Sequence, residues 1–307
     1  MKKKLVLILL LTSSFTFVAK EVKLQYSFAK GDAYDFAQTA TVTQLISTQG
    51  FEQNIETKVT GLIKMKVIEV SAKGGKFEVE YDRLSIALNT GQMNIAMDSQ
   101  GDSSSMQNKL IKAIMGKKFN FTMTHQGTVE SVENIENLWS GLNNLKGVDA
   151  TQMAQMKQSL EQTVGKQSFK SSIENAFASY PEHKVQAGTT WKSTTSGNNT
   201  IPLNINNVWT VESISEPNAT LINDAQIISS DTTRVISLQQ GIRARTNLKG
   251  RSVLKSTVNV KSGWPQTAKA YSEIKGKMTL LAGGPIPQDM EMTTETKTDS
   301  EFTITKK

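Results

Sequence analysis

From Val22 to Met97, apolar and polar residues alternate in long stretches separated by turn residues. Alternation with a period of two puts every second side chain on one face, which is the pattern of a half-buried strand. It predicts strands over Lys23–Phe28, Tyr34–Ile46, Gln53–Val70 and Lys76–Leu88. Ala29-Lys30-Gly31-Asp32, Gly50 and Ser71-Ala72-Lys73-Gly74-Gly75 are the breaks between them. Strands joined by short glycine-containing turns make an antiparallel meander, with one face on a core and the other in water.

The run Asp98-Ser99-Gln100-Gly101-Asp102-Ser103 interrupts this pattern. Met106, Leu110, Ile111, Ile114 and Met115 follow at helical spacing, so a helix is expected there, capped by Asp102 or Ser103 and closed by Gly116. Lys118–Thr124 and Thr128–Val132 read as a hairpin around His125-Gln126-Gly127. Residues 133–179 are rich in Gln, Lys and Met and poor in β-branched residues. Three helical faces are predicted there: Leu138, Leu142 and Leu145; Met153, Met156, Leu160 and Val164, capped by Asp149; and Phe169, Ile173 and Phe177. After Tyr180-Pro181 the β pattern returns, through Gly188–Trp191, Val208–Ile214, Thr220–Ser229, Arg243–Leu248, Gly250–Val260 and Thr267–Leu281. The fold class is therefore α+β and mainly antiparallel β. A β-rich half with one helix (20–132), a helical middle segment (133–180) and a second β-rich half (181–307) follow an export signal (1–19).

The two β regions share an order of features. Each has a glycine and aromatic opening (Gly31-Asp32-Ala33-Tyr34; Gly188-Thr189-Thr190-Trp191), then a hairpin, then a strand, glycine turn and strand around Gly127 or Gly263. Duplication would give two similar curved sheets, packed together or joined edge to edge; reuse of the same turn residues is the other source of such a likeness. Leu24 to Asp32, Gly127-Thr128-Val129, Ala187 to Trp191 and Gly263-Trp264-Pro265 are also the residues in which the chain resembles an uncharacterised exported family, domain of unknown function number 6263. The resemblance implies an exported location and this architecture, and it implies no activity.

Composition adds the compartment. Met1-Lys2-Lys3-Lys4, the apolar run Leu5–Leu11 and Ala19 have the order of a secretory signal peptide, too short in its apolar part to span comfortably; cleavage is expected after Ala19. No later run is apolar for long enough to cross a bilayer as a helix, so no transmembrane span is expected in the mature chain, which is read as periplasmic or secreted. The chain has no Cys, which removes thiolate chemistry, cysteine zinc sites and a lipid-modified cysteine anchor, and leaves stability to ordinary burial. The net charge of +7 includes the three leader lysines, leaving 7 − 3 = +4 spread without a basic block, so nucleic acid is not an expected partner. Lys306-Lys307 reads as a solvated tail.

Candidate chemistry is sparse. His125 and His183 lie in separate turns, without the spacing of a metal pair. Asp98 and Asp102 invite a calcium loop but lack its ordered ligand series. Glu78 and Glu80 share one strand face, ordinarily the wet one, and Gly283-Gly284-Pro285 lacks the helix and lysine of a phosphate loop. No Gly-x-Ser-x-Gly elbow is present. No catalytic, cofactor-binding or metal residue is assigned, and no enzyme activity is expected. An apolar cavity between a curved sheet and helices is the remaining option, with Phe119, Phe121, Met123, Trp139, Phe169 and Phe177 as its lining or as plain core. A non-enzymatic envelope protein that binds a hydrophobic small molecule or lipid, or an envelope protein partner, is the leading expectation. An assembly factor without a small ligand, or a hydrolase with an unrecognised site, are the alternatives.

Overall fold

A computed structural model describes residues 21–48, 50–145, 149–196, 201–238 and 241–307, so the predicted export signal lies outside the described residues. The N-terminal strands are β1 (Ala33–Thr48), β2 (Phe51–Val70), β3 (Gly74–Asn89), β4 (Asn94–Asp98), β5 (Phe119–Thr124) and β6 (Val129–Glu133), with helix α1 (Met106–Ile114) before β5. A 3-10 segment (Ile135–Asn144), α2 (Ala150–Val164) and α3 (Lys166–Ala176) follow. The remaining strands are β7 (Thr190–Ser196), β8 (Leu203–Ser215), β9 (Asn218–Ser229), β10 (Ile236–Ser237), β11 (Arg243–Asn259), β12 (Pro265–Leu280) and β13 (Met290–Lys306). All thirteen form one antiparallel sheet in the order β6-β5-β3-β2-β1-β13-β12-β11-β9-β8-β7, with β4 paired to β3 and β10 to β11 off this path. The two β-rich stretches are thus wings of one open sheet that meet where β1 pairs with β13.

Period-two alternation assigns the faces. The outer face carries the charges, in cross-strand register: Lys269 opposes Glu301 and bonds it at 2.6 Å, Lys275 opposes Glu295 at 3.3 Å, and Lys277 reaches Glu291 diagonally at 2.8 Å. Such exposed pairs add little stability, but opposite charges across a ladder favour one register over its slips. The inner face carries the apolar positions, and near the strand ends closest to the helices these form the core: Tyr34, Phe36, Ile63, Met65, Phe77 and Phe121 are all buried.

Five sequence expectations change. Lys23–Phe28 does alternate, with Leu24 and Tyr26 buried, but it is a strap and not a strand. Its backbone bonds single loop residues instead of a ladder: Val22 exchanges two 2.8 Å bonds with Val185, Tyr26 N–H donates to His125 O and Ser27 N–H to Ser262 O. The strap runs through an aromatic hub in which Tyr34 and Trp264 stack at 4.0 Å and Trp264 Nε1 donates to Ser27 O. Helix α1 is capped by Ser105, while Asp102 holds the turn before it. Arg243–Leu248 and Gly250–Val260 form the single strand β11, continuous through Gly250. Finally, β13 has no counterpart among the predicted strands, and Lys306 and Lys307, read as a solvated tail, bond Asp32 and Asp35 at 2.7 and 2.8 Å beside β1.

Candidate ligand trough

Away from the helices the inner face changes character. Where β1 carries Tyr34 and Phe36 it continues with Gln38 and Ala40, and the neighbouring inner positions are Ser300, Ala270, Ser272, Ser252 and Ala225. Small side chains leave space, and the structure has a cavity of ≈ 420 Å³ here, lined by eight strands and by α3 and the residues that flank it. Val59 of β2 and Ser193 of β7 both line it, although seven strand spacings, about 34 Å in a flat sheet, separate their strands. The sheet is therefore rolled into a trough. Gly250 and Gly276 sit where a Cβ would lie 2.3 Å from Glu273 O and 2.0 Å from Asn247 O, so β11 and β12 approach more closely than a side chain permits.

The register places the polar groups. Trp209 pairs with Trp191 on one side and Asn223 on the other, and the next inner row runs Ser193, Asn207, Ala225, Ser252. The two indoles stack at 6.1 Å and 8°. Trp191 Nε1 donates to Ser179 O at 2.6 Å, whereas Trp209 Nε1, shut off from solvent, has no protein partner. Asn223 Nδ2 donates to Asn207 Oδ1 at 2.8 Å and Asn207 Nδ2 to Thr195 Oγ1 at 3.3 Å, which leaves Asn223 Oδ1 unused. Ser193 Oγ and Ser171 Oγ are also buried without partners. Four of the five such atoms among the described residues thus belong to side chains lining this cavity. A buried polar atom left unpaired costs about 1–3 kcal/mol, so their convergence on one place calls for an account.

Glu174 of α3 is the single ionisable group among the described lining residues. Burial raises its carboxyl above the usual range, partly offset by Lys170, whose ammonium lies 3.7 Å away, and by the Val129 amide. Ser172 Oγ donates to Gln38 Oε1 at 2.7 Å and ties α3 to β1 at the cavity wall. A half-polar trough of this kind, with a single ionisable group in its lining, can hold an amphiphile by burial and a few hydrogen bonds.

Most residues considered from sequence lie elsewhere. Phe119, Phe121, Met123 and Phe169 are fully packed core, Trp139 sits in the helical layer under Lys157, and only Phe177 of that group lines the cavity. Aromatics bulky enough to attract attention fill the space they bound. His125 Nδ1 lies 2.7 Å from Tyr26 O and its ring stacks on Phe28; His183 is exposed. Asp98 accepts from Gln100 N–H, and Asp102 from Ser104, as turn caps. Glu78 pairs with Lys118 on the outer face. No cluster of three metal-ligating side chains, and no helix long and apolar enough to cross a membrane, occurs among the described residues. The signal that would have found the trough is a strand face alternating into Ala, Ser, Thr and Gly without charge.

None of the curated proteins matches the chain in sequence. In shape it is similar to lipovitellin, from a structure concerned with lipid–protein interactions, at 9% identity and a TM-score of 0.41, over 89% of this chain and 25% of that one. The chain spans about a quarter of the lipovitellin chain's length. It is also similar to an outer-membrane channel from Pseudomonas putida F1 (7% identity, TM-score 0.22, 90% of this chain and 97% of that one). The translocator domain of the autotransporter NalP from Neisseria meningitidis gives 8% identity and a TM-score of 0.21, over 90% and 89%. These are likenesses of a large antiparallel sheet, and nothing further is drawn from them. Gly127, Trp191 and Trp264, most of the trough and the whole helical layer fall within residues 73–265, the segment matched by a sequence family described only as being of unknown function, and the chain belongs to that family, DUF6263.

Proposed function

We propose that this protein is a non-enzymatic, exported binding protein that holds an apolar or amphipathic small molecule in the trough between the sheet and α3. The observation that carries the reading is the break in packing along one continuous face. Near the helices it is filled with aromatic side chains, and beyond them small residues such as Ala40, Ser300, Ala270, Ser272, Ser252 and Ala225 leave a ≈ 420 Å³ space. Export is supported by the order of residues 1–19. The trough itself is supported as a product of duplication. Each wing opens on a positive-φ glycine (Gly31, Gly188) and runs as a meander with one short strand off its path, and the turns of Gly127 and Gly263 both close on the strap.

The experiment is organic extraction of protein purified from its native envelope, followed by mass spectrometry, alongside the variant Ala225→Trp. Wild type is expected to carry a stoichiometric apolar compound that the filled variant lacks. A folded wild type that carries none, and takes up none when offered lipid, would sink the reading and return the sheet edges β6 and β7 to consideration as a partner-binding surface.

A further inference from the structure

The trough's chemistry narrows what it takes. Its lining offers one carboxyl, Glu174, and no basic side chain among the described residues, so an anionic head would be desolvated there without a counter-charge. The unpaired groups are neutral and mixed in kind. Trp209 Nε1–H can only donate, Asn223 Oδ1 can only accept, and the hydroxyls of Ser193 and Ser171 can do either. Trp209 and Asn223 are direct cross-strand partners on one face, which sets their side chains next to each other, and Trp209 is 3% exposed. A hydroxyl is the smallest group that accepts from the first and donates to the second. Farther along the same face the inner positions become apolar, with Ile227, Ile274 and Leu248 leading to Met278 and Leu280, so a chain attached to that hydroxyl has a greasy track to follow.

We infer that the ligand is an uncharged, hydroxyl-bearing long-chain lipid of the monoacylglycerol or fatty-alcohol type, with its hydroxyl between Trp209 and Asn223 and its chain along β11 and β12. This rests on the trough being a ligand site at all. The contrast inside the stacked indole pair carries it: Trp191 spends its N–H on Ser179 O, and Trp209 keeps its own for the ligand. Recognition of a hydroxyl by buried groups that otherwise stay unpaired is also how a site rejects an analogue lacking it.

The test uses the mature full chain and a neutral fluorescent apolar probe, N-phenyl-1-naphthylamine, displaced by 1-monooleoylglycerol or by oleate at pH 8. The expected result is displacement by monooleoylglycerol at least ten times more effective than by oleate. Trp209→Phe and Asn223→Leu should each weaken it by about 3- to 10-fold, the worth of one hydrogen bond, while leaving probe binding and the thermal midpoint in place. Ser193→Ala, a milder change, covers the case in which either of those variants fails to fold and should weaken the same lipid in the same direction. If the probe binds but the two lipids compete equally and the variants change nothing, the trough takes apolar chains without reading a head, and this inference falls while the binding function stands. If the probe does not bind wild type, the binding function falls with it.

Discussion

The inner face of β1 and its neighbours holds two regions built on the same strands with opposite results. At the helical end, Tyr34, Phe36, Ile63, Met65 and Phe77 interlock with the strap, α3 and Trp264 until nothing is left between them. A few residues on, Ala40, Ser300, Ala270, Ser272, Ser252 and Ala225 face one another across a space. The β1–β13, β12–β13 and β9–β11 ladders run unbroken between the two, so the difference is one of side-chain volume and not of secondary structure. A sheet is thus able to be a core at one end and a container at the other, provided that its hydrogen bonds hold the contained end in shape without help from packing.

That comparison can be broken experimentally, most severely at the packed end. Phe36→Ala deletes a side chain that is fully buried between Phe177 and Phe302, and it should lower the unfolding free energy by about 3–5 kcal/mol in a denaturant titration. A loss below about 1 kcal/mol would mean that this end is not the stabilising one. The sharper form of the contrast uses two alanines of one strand, both 1% exposed. Ala219→Leu, in the packed cluster, should cost about 1–3 kcal/mol by overpacking. Ala225→Leu, with the cavity before it, should change stability by less than about 1 kcal/mol while abolishing ligand uptake. Equal costs at both sites would show that the space is not available to side chains.

Smaller effects follow from charge. Glu174 has its folded-state carboxyl raised above the unfolded value of 4.5, with burial as the first cause. Below pH 4.5 both states carry the proton; as pH rises through that value the unfolded chain releases its proton first, and the folded state loses relative stability until its own, higher value is passed. Glu174→Gln should therefore raise the thermal midpoint at pH 7, and the gain should shrink below about pH 4.5. A variant less stable than wild type at pH 7 would show that the contact with Lys170 outweighs the burial. At the bottom of the scale, Lys269→Met removes one partner of an exposed outer-face pair and should leave the midpoint within experimental scatter.

Sequence alone determined the elements whose periodicity was strong. The limits of β1, β2 and β3, the hairpin of β5 and β6, and α2 with its Asp149 cap all follow from alternation, helical spacing and local capping chemistry, which act over a few residues. Tertiary structure alone decided three things. It made Lys23–Phe28 a strap, because its partners are isolated loop residues about a hundred positions away or more. It gave β13 a central place, although the inner positions along its middle, Thr294 to Ser300, are Thr and Ser, so that apolar alternation shows only at its ends. It also made the trough, for the same reason. A strand face that lines a half-polar cavity carries small and hydroxylated side chains, so the hydrophobic signal by which strands are read fades where the cavity begins. Where the signal fades, only the rolling of the sheet brings Val59 and Ser193 to one site.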